Sequence, residues 1–190
     1  MTCALLFLYN IAMEIMKETK GKIEWKIWAL RAILLLACVL IYALIFSNSL
    51  KTGEQSTSQS QAVTNAVQDA IGSVAPESGI ANATGEKYEK LHADIRTLAH
   101  FGEFLLLGFF MLCTYFSFTD KRSFLFIPAV LLCFTPPFDE FLQMRTQGRV
   151  MSMADMGVDF LGVVVGCTCA FLCVWLLNKM VRKREKWKTE

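Results

Sequence analysis

Long apolar runs separated by polar segments dominate the sequence. Three runs contain one charged side chain each: residues 28–46 with Arg31, 98–118 with Glu103, and 156–177 with Asp159. Because about 20 consecutive apolar residues cross a bilayer as a helix, these runs predict three transmembrane helices. A fourth run, residues 124–138, is shorter and is interrupted by prolines. It predicts a short and broken span.

The composition agrees with a membrane protein. Apolar residues make up 54% of the chain and the mean hydropathy is +0.42, which is too apolar for an ordinary soluble domain. We therefore expect an all-α, polytopic membrane protein with four transmembrane helices and a long extracytoplasmic loop between the first and the second. Its expected parts are an N-terminal cytoplasmic or interfacial segment, a four-helix membrane domain and a basic cytoplasmic tail: residues 1–27, 28–177 (outer loop 47–97) and 178–190.

The basic residues predict the orientation of these helices. Of the 19 Lys and Arg residues, 13 fall in residues 14–31, in the turn 119–123 and in the tail after Leu177. Cytoplasmic segments are enriched in basic residues, so we expect both termini and this turn in the cytoplasm of a multi-pass cell-membrane protein. The net charge of +2 then reflects topology and gives no indication of nucleic-acid binding. The apolar stretch before Met13 is too short to span and lacks a basic leader, so Met13 and Met16 are alternative starts to Met1.

The seven cysteines form no recognisable disulfide or metal pattern. Six of them lie inside the apolar runs, and their spacing matches no zinc site. We interpret them as small packing residues and expect neither a metal nor another cofactor.

Polar side chains recur at helical spacing near the outer ends of three predicted spans, so the members of each stripe share a face. The stripes are Arg96, His100 and Glu103; Asp139, Glu140 and Gln143; and Asp155 with Asp159. A carboxylate at the centre of a span costs about 2.5–3.5 kcal/mol, so Glu103 and Asp159 require a partner or water. We predict that the three stripes, Arg149 and Ser152 converge as one ligand-binding or functional cluster, and that Gly162 and Gly166 form a helix-packing face. A structural ion pair is the alternative for the first stripe.

Pro136 and Pro137 directly precede Asp139 and Glu140. Proline is well tolerated at a helix start, so we interpret the pair as the end of one helix and the start of a short second one. On this interpretation the prolines open a polar cleft that the two acids line, and the alternative is a solvated helix end. Within the outer loop, one helical face is expected to be apolar: Val63, Ala66, Val67, Ala70 and Ile71.

Several blocks in the same order resemble the VanZ-like family of small bacterial membrane proteins: FSNSLKTGEQSTSQS, RTLAHFGEFLLLG and DEFLQMRTQGRVMSMADMGVDFLGVVVG. The family pattern falls on Ser47, Arg96, His100, Glu103, Asp139, Glu140, Gln143, Arg149, Ser152, Asp155, Gly162 and Gly166. The chain departs from it at Thr97, where a basic residue is usual, at Phe104 (usually Tyr), at Asp159 (usually Asn) and at the two prolines. The resemblance implies a cell-envelope location and, through the family's named member, a link to low-level teicoplanin resistance, but no reaction.

Three functions remain open. The favoured one is a non-enzymatic protein whose polar cleft binds membrane lipids, a lipid-linked envelope precursor or a lipoglycopeptide, because arginines beside acids suit phosphate and carboxylate recognition. The second is an enzyme in which acid–base groups or ligands for a divalent metal come from His100, Glu103, Asp139, Glu140 and Asp155. The third is a structural membrane subunit. No nucleophile elbow, P-loop or H-E-x-x-H motif supports a particular reaction.

Overall fold

The computed structural model describes residues 24–119 and 124–189, with side chains for residues 25–119 and 124–180. These residues form five α-helices and no β-strand: α1 (Glu24–Ser49), α2 (Gly53–Val74), α3 (Glu86–Phe118), α4 (Phe126–Met144) and α5 (Met153–Thr189). The alternative starts, the basic residues of the turn 119–123 and the side chains of the tail beyond residue 180 lie outside the described residues. The expectations that concern them stay predictions.

Three of the helices are long and apolar enough to cross a membrane: Trp25–Ser49 in α1, Glu86–Phe118 in α3 and Met153–Met180 in α5. Their outward surfaces are apolar, and Leu36, Leu40 and Val164 are each 57–59% exposed. Apolar side chains of this size on the outside of a bundle match a lipid environment better than water. Helix α4 is not among the three, so the fourth span stays a prediction.

Glycines allow α3 and α5 to pack closely. A Cβ atom added to Gly162 would lie 2.6 Å from the carbonyl oxygen of Phe101, and one added to Gly108 would lie 2.5 Å from that of Val163. A Cβ atom on Gly166 would collide with the carbonyl oxygen of Leu105. Small residues at such positions let two helix backbones approach each other, which is how helices associate in lipid. We call this contact the glycine seam.

Helices α1 and α4 complete the bundle around a small apolar core. Its buried residues come from four helices: Ile45, Phe104, Leu107, Leu132 and Val163. Helix α1 is tied to α3 near its start, where Arg31 Nε donates to the carbonyl oxygen of Ser117 at 2.9 Å. The hydroxyls of Tyr42 and Thr135 lie 3.1 Å apart and join α1 to α4. The six cysteines within the described residues are free thiols.

Helix α2 occupies much of the predicted outer loop and packs against the first turns of α3. It begins with a capping box formed by Thr52 and Gln55. The face that contacts its neighbours is polar: Ser60 Oγ lies 2.6 Å from His92 Nε2, and Gln68 donates to the carbonyl oxygen of Ala83 at 3.0 Å. The expected apolar face is only partly covered, since Val63 is exposed. Hydrogen bonding positions this helix more than apolar burial does.

Helix α4 corrects the expected break at the prolines, because it runs without interruption through Pro136 and Pro137. Proline fixes φ near the helical value, so the backbone keeps its helical conformation although each ring removes one backbone hydrogen bond and crowds the carbonyl oxygen four residues earlier. Side-chain contacts hold the helix on both sides of the pair, at Thr135 and at Asp139. Asp139 and Glu140 were expected to line an open cleft. Both are instead buried, with 1% and 0% exposure.

Candidate functional site

Asn48, at the end of α1, joins three other segments of the chain. Its amide nitrogen donates to Glu103 Oε1 at 2.6 Å, and its amide oxygen accepts from Lys51 at 2.8 Å. Its backbone carbonyl accepts from Arg149 Nη1 at 3.1 Å. The carboxylate of Glu103, inside the span of α3, is therefore paired with an amide and not with an arginine.

Asp139 accepts hydrogen bonds at both carboxylate oxygens. Ser49 Oγ donates to Oδ1, and Gln143 Nε2 donates to Oδ2 at 2.6 Å. The other end of the Gln143 amide accepts from Arg149 Nη2. A continuous set of hydrogen bonds thus runs from Glu103 through Asn48, Arg149 and Gln143 to Asp139. Buried polar networks of this kind fix side-chain geometry when every member is satisfied.

Glu140 contacts the start of α5. Its Oε2 accepts from the backbone N–H of Ser152 at 2.7 Å, and Ser152 Oγ in turn accepts from the backbone N–H of Asp155 at 3.1 Å. The second contact has the form of an N-cap, which supplies an acceptor for one of the unpaired N–H groups at a helix start. Ser152 and Glu140 therefore fix the position from which α5 begins.

Three adjoining hollows surround Arg96, and we call them the Arg96 hollows. The first, of about 100 Å³, lies between α2 and α3 and is also lined by His100, Glu103 and Arg149. The second, of about 250 Å³, is lined by Gly53, Gly148 and Arg149, and the third, of about 230 Å³, by His100 and Asp155. Asp139 and Glu140 line none of these three.

The two arginines at these hollows carry unused hydrogen-bond donors. Among the described residues, Arg96 makes no hydrogen bond or ion pair. Arg149 uses its two terminal nitrogens, but its Nε is buried and has no partner there. Burial lowers the pKa of Arg149, and the positive charge of Arg96 lowers this pKa further. An anion between the two guanidinium groups would relieve that repulsion and accept hydrogen bonds from their free N–H groups.

A second group of polar side chains lies inside the bundle, where α3, α4 and α5 meet. His100, Asp139 and Asp159 each offer one ligand-type atom, and these atoms lie within 4.8 Å of one another. His100 Nδ1 is 3.7 Å from Asp159 Oδ1. Among the described residues, neither oxygen of Asp159 nor His100 Nδ1 has a hydrogen-bond partner. Asp159 is fully buried, so its carboxylate is not exposed to solvent either.

The structure thus separates the residues of the sequence-derived cluster into two connected places. One is the hydrogen-bonded set with the Arg96 hollows: Arg96, His100, Glu103, Asp139, Gln143, Arg149 and Asp155. The other is the buried group of His100, Asp139 and Asp159. Glu140 and Ser152 lie beside both, at the α4–α5 junction, while Gly162 and Gly166 lie in the glycine seam.

Two residues of this site, Asn48 and Ser49, do not follow from the sequence reasoning. Both belong to the polar segment that follows the first apolar run, where loop residues are expected. The family pattern falls on Ser47 instead, which is exposed. Helix α1 in fact continues to Ser49, which is almost one helical turn beyond residue 46, where the predicted span ended. One signal could have found them. A carboxylate inside a span needs a hydrogen-bond donor, and Asn48 and Ser49 are an amide and a hydroxyl at the same predicted end of the first span.

The fold and the site define an all-helical protein with membrane-spanning helices and a polar, partly ionic centre at one end of its bundle. A family model described as VanZ/LLP1 matches residues 34–176. The chain therefore belongs to the VanZ/LLP1 family. No curated protein and no solved structure shows a significant match.

Of the departures from the family pattern, three are buried: Phe104, Pro136 and Asp159. Phe104 is part of the apolar core, and Asp159 is one of the three residues of the buried group. Thr97 lines the third hollow, beside Arg96 and His100. The added negative charge at position 159 is therefore placed at the one point where a histidine and a second aspartate face it.

Proposed function

We propose that the α2 end of the bundle faces the outside of the cell and binds the anionic headgroup of a lipid or of a lipoglycopeptide. Binding there would lower the susceptibility of the cell to teicoplanin-type antibiotics. The observation that carries this proposal is the pair of arginines at the Arg96 hollows: within the part of the chain that the structure describes, Arg96 is unpaired and Arg149 Nε is buried without a partner. Membership of the VanZ/LLP1 family supports the envelope setting.

Guanidinium chemistry favours an anion with several oxygens. The five N–H donors of an arginine form a planar fork that fits a phosphate or carboxylate group. Arg149 is held in place by Asn48 and Gln143, so its orientation is fixed before any ligand arrives. Arg96 is partly buried and free to turn toward the same ligand. A group bound between them would contact one fixed and one adjustable cation.

The acids nearby do not neutralise Arg96. Glu103 lines the first hollow, but its carboxylate accepts from Asn48. Asp155 lines the third hollow, and no ion pair joins it to Arg96 within the described part of the chain. The local field at the second hollow, where Arg96 and Arg149 are both present without an acid, therefore favours a negative ligand.

The size of the hollows decides which part of a ligand they accept. Pockets for drug-sized molecules enclose about 300–1,000 Å³. Each of the Arg96 hollows is smaller than this, with volumes of about 100, 250 and 230 Å³. They suit a phosphate or carboxylate headgroup better than a complete glycopeptide, whose remaining parts would stay outside.

Susceptibility of cells that express single variants tests the proposal. Arg96→Lys keeps the charge and removes the planar fork, and Arg96 has no hydrogen bond or ion pair to lose among the described residues. Arg145→Lys is the matched control, because Arg145 stacks over Phe141 at 4.9 Å and lines none of the Arg96 hollows. We expect the wild type and Arg145→Lys to raise the minimal inhibitory concentration of teicoplanin severalfold, and Arg96→Lys to return it to the level of cells without the protein.

Equal expression in the membrane, measured by immunoblot, is the control for folding. Full resistance with Arg96→Lys would show that the hollows do not bind the relevant ligand. No change of susceptibility with the wild-type protein would refute the proposed function as a whole.

The orientation has a separate test. Ser58 is exposed on α2, so a Ser58→Cys variant should react with a membrane-impermeant maleimide when intact cells are treated. All seven native cysteines are replaced by alanine in the background of this variant. Protection of the thiol in intact cells, with labelling only after lysis, would place the α2 end in the cytoplasm.

A further inference from the structure

Three helices bring one potential metal ligand each to the same buried point. His100 belongs to α3, Asp139 to α4 and Asp159 to α5, and their ligand atoms lie within 4.8 Å of one another. We propose that these three side chains bind a divalent transition-metal cation, of the class of Zn²⁺ or Mn²⁺. The inference goes beyond headgroup binding, and neither proposal depends on the other.

The state of Asp159 is the main support. Its side chain is 0% exposed, and neither of its oxygens accepts a hydrogen bond from the described residues. Burying a carboxylate without donors is costly, and proteins normally avoid it by pairing the group or by coordinating a metal. The imidazole nitrogen His100 Nδ1 lies 3.7 Å from Asp159 Oδ1, which is too far for a hydrogen bond. This nitrogen also has no hydrogen-bond partner among the described residues.

The spacing fits an ion better than a direct contact. A cation bonded to an imidazole nitrogen and a carboxylate oxygen at about 2.0–2.2 Å, in tetrahedral arrangement, separates those two atoms by roughly 3.4 Å. The observed 3.7 Å between His100 Nδ1 and Asp159 Oδ1 therefore needs a shift of only a few tenths of an ångström. A protonated carboxyl that donated to the histidine would instead need the two atoms to approach below about 3 Å.

Asp139 has the contacts of a metal ligand that is held in position. Ser49 and Gln143 each donate to one of its oxygens, and each oxygen keeps a further lone pair. Outer partners of this kind fix the orientation of ligating carboxylates in metal sites. Asp139 and Asp159 together supply two negative charges, which a divalent cation would balance inside the low-dielectric bundle.

The donor set selects the class of cation. Imidazole with two carboxylates suits transition metals such as Zn²⁺ and Mn²⁺, whereas Mg²⁺ and Ca²⁺ prefer all-oxygen ligands. Three protein ligands leave a position for water or another ligand. His100 is 16% exposed and lines two of the Arg96 hollows, so it is the member of the group that an entering ion meets first.

Metal content of the full-length protein in detergent tests the site. The protein is stripped with a chelator, incubated with Zn²⁺ or Mn²⁺, desalted and analysed by mass spectrometry of the elements. We expect one ion per chain for the wild type and a rise in melting temperature that grows with metal concentration. Asp159→Asn keeps the size of the side chain and removes its charge, so it should weaken binding by more than the roughly 10–100-fold typical of losing an outer partner.

Asp94→Asn is the matched control, because Asp94 is an exposed acid on the same helix as His100. It should bind like the wild type. A second variant, His100→Gln, should lose the ligand-field absorption that Co²⁺ gives when imidazole binds it, even if some metal is retained. Equal metal content in Asp159→Asn and the wild type, no stoichiometric metal in the wild type, or a preference for Mg²⁺ or Ca²⁺ would each overturn the proposal. None of these outcomes depends on teicoplanin susceptibility.

Discussion

Two buried aspartates at the same end of the bundle have opposite surroundings. Asp139 on α4 accepts from Ser49 and Gln143, so both of its oxygens are paired. Asp159 on α5 is equally buried, yet no described residue donates to either of its oxygens. The difference shows that burial alone does not tell whether a charged group supports the fold. Asp139 contributes through its hydrogen bonds, whereas Asp159 has no hydrogen bond to the described residues through which to contribute.

The two aspartates differ because different parts of the bundle pack against them. Asp139 faces the end of α1, which carries a hydroxyl and an amide at Ser49 and Asn48. Asp159 lies one turn before Gly162, where α5 approaches α3 so closely that only a glycine fits. Phe104 and Leu107 of α3, which offer no donor, are buried in the apolar core nearby. Among the described residues, His100 and Asp139 are the two that place a polar ligand-type atom within 4.8 Å of the Asp159 carboxylate in one group.

The largest expected effect on stability comes from Asp139→Ala. The change leaves the Gln143 amide buried without this acceptor, which costs about 1–3 kcal/mol, and removes the hydrogen bond from Ser49, whose hydroxyl keeps the carbonyl oxygen of Ile45 as an acceptor. We expect the free energy of unfolding to fall by about 2–5 kcal/mol, measured by denaturant titration in detergent with a chelator present. The exposed Asp94→Ala should change it little. A loss no larger than that of this control would mean that Asp139 is as isolated as Asp159.

An intermediate effect is expected for Ser49→Ala, which moves the surroundings of Asp139 toward those of Asp159. One donor to a buried carboxylate is lost and Gln143 remains, so the free energy of unfolding should fall by about 1–2 kcal/mol. Ser47→Ala is the matched control, because Ser47 is an exposed serine on the same helix. The two variants are compared in the same denaturant titration. Equal stability of the two would show that the Ser49–Asp139 contact contributes nothing.

The smallest effect is expected for Asp159→Asn in the presence of a chelator. No hydrogen bond to the described residues is lost and a buried charge disappears, so stability should stay within about 1 kcal/mol of the wild type or increase. Thermal unfolding followed by circular dichroism measures this. A fall as large as that of Asp139→Ala would reveal a partner for Asp159 and remove the contrast between the two residues.

The apolar runs were sufficient to predict α1, α3 and α5, because helices that cross lipid must be apolar over most of their length. The position of Glu103 and Asp159 inside such runs also marked both as exceptional. The prolines of α4 misled, since the sequence shows the lost N–H groups but not the lateral contacts at Thr135 and Asp139 on either side of them in a continuous helix. The glycine pairs on α5 showed a packing face but not which helix it meets.

Helix α2 and the end of α1 show a further limit. The spacing predicted an apolar face on α2, but it did not show that this helix packs through Ser60 and Gln68. The roles of Asn48 and Ser49 depend on how far α1 extends relative to α3 and α4. That register is set by contacts between helices, and spacing within one segment contains no information about it.

The glycine seam sets the distance between two residues of the proposed metal site, His100 and Asp159. Gly162 fits against Phe101, the neighbour of His100, and lies three residues after Asp159. The separation between the imidazole and the carboxylate is therefore fixed by two backbones in contact, and not by flexible side chains. A single methyl group at Gly162, in a wholly apolar part of the bundle, would have to push the backbones apart and would lengthen the 3.7 Å span between His100 and Asp159. Evolution can thus tune this site by changing residue size at a position that never touches it.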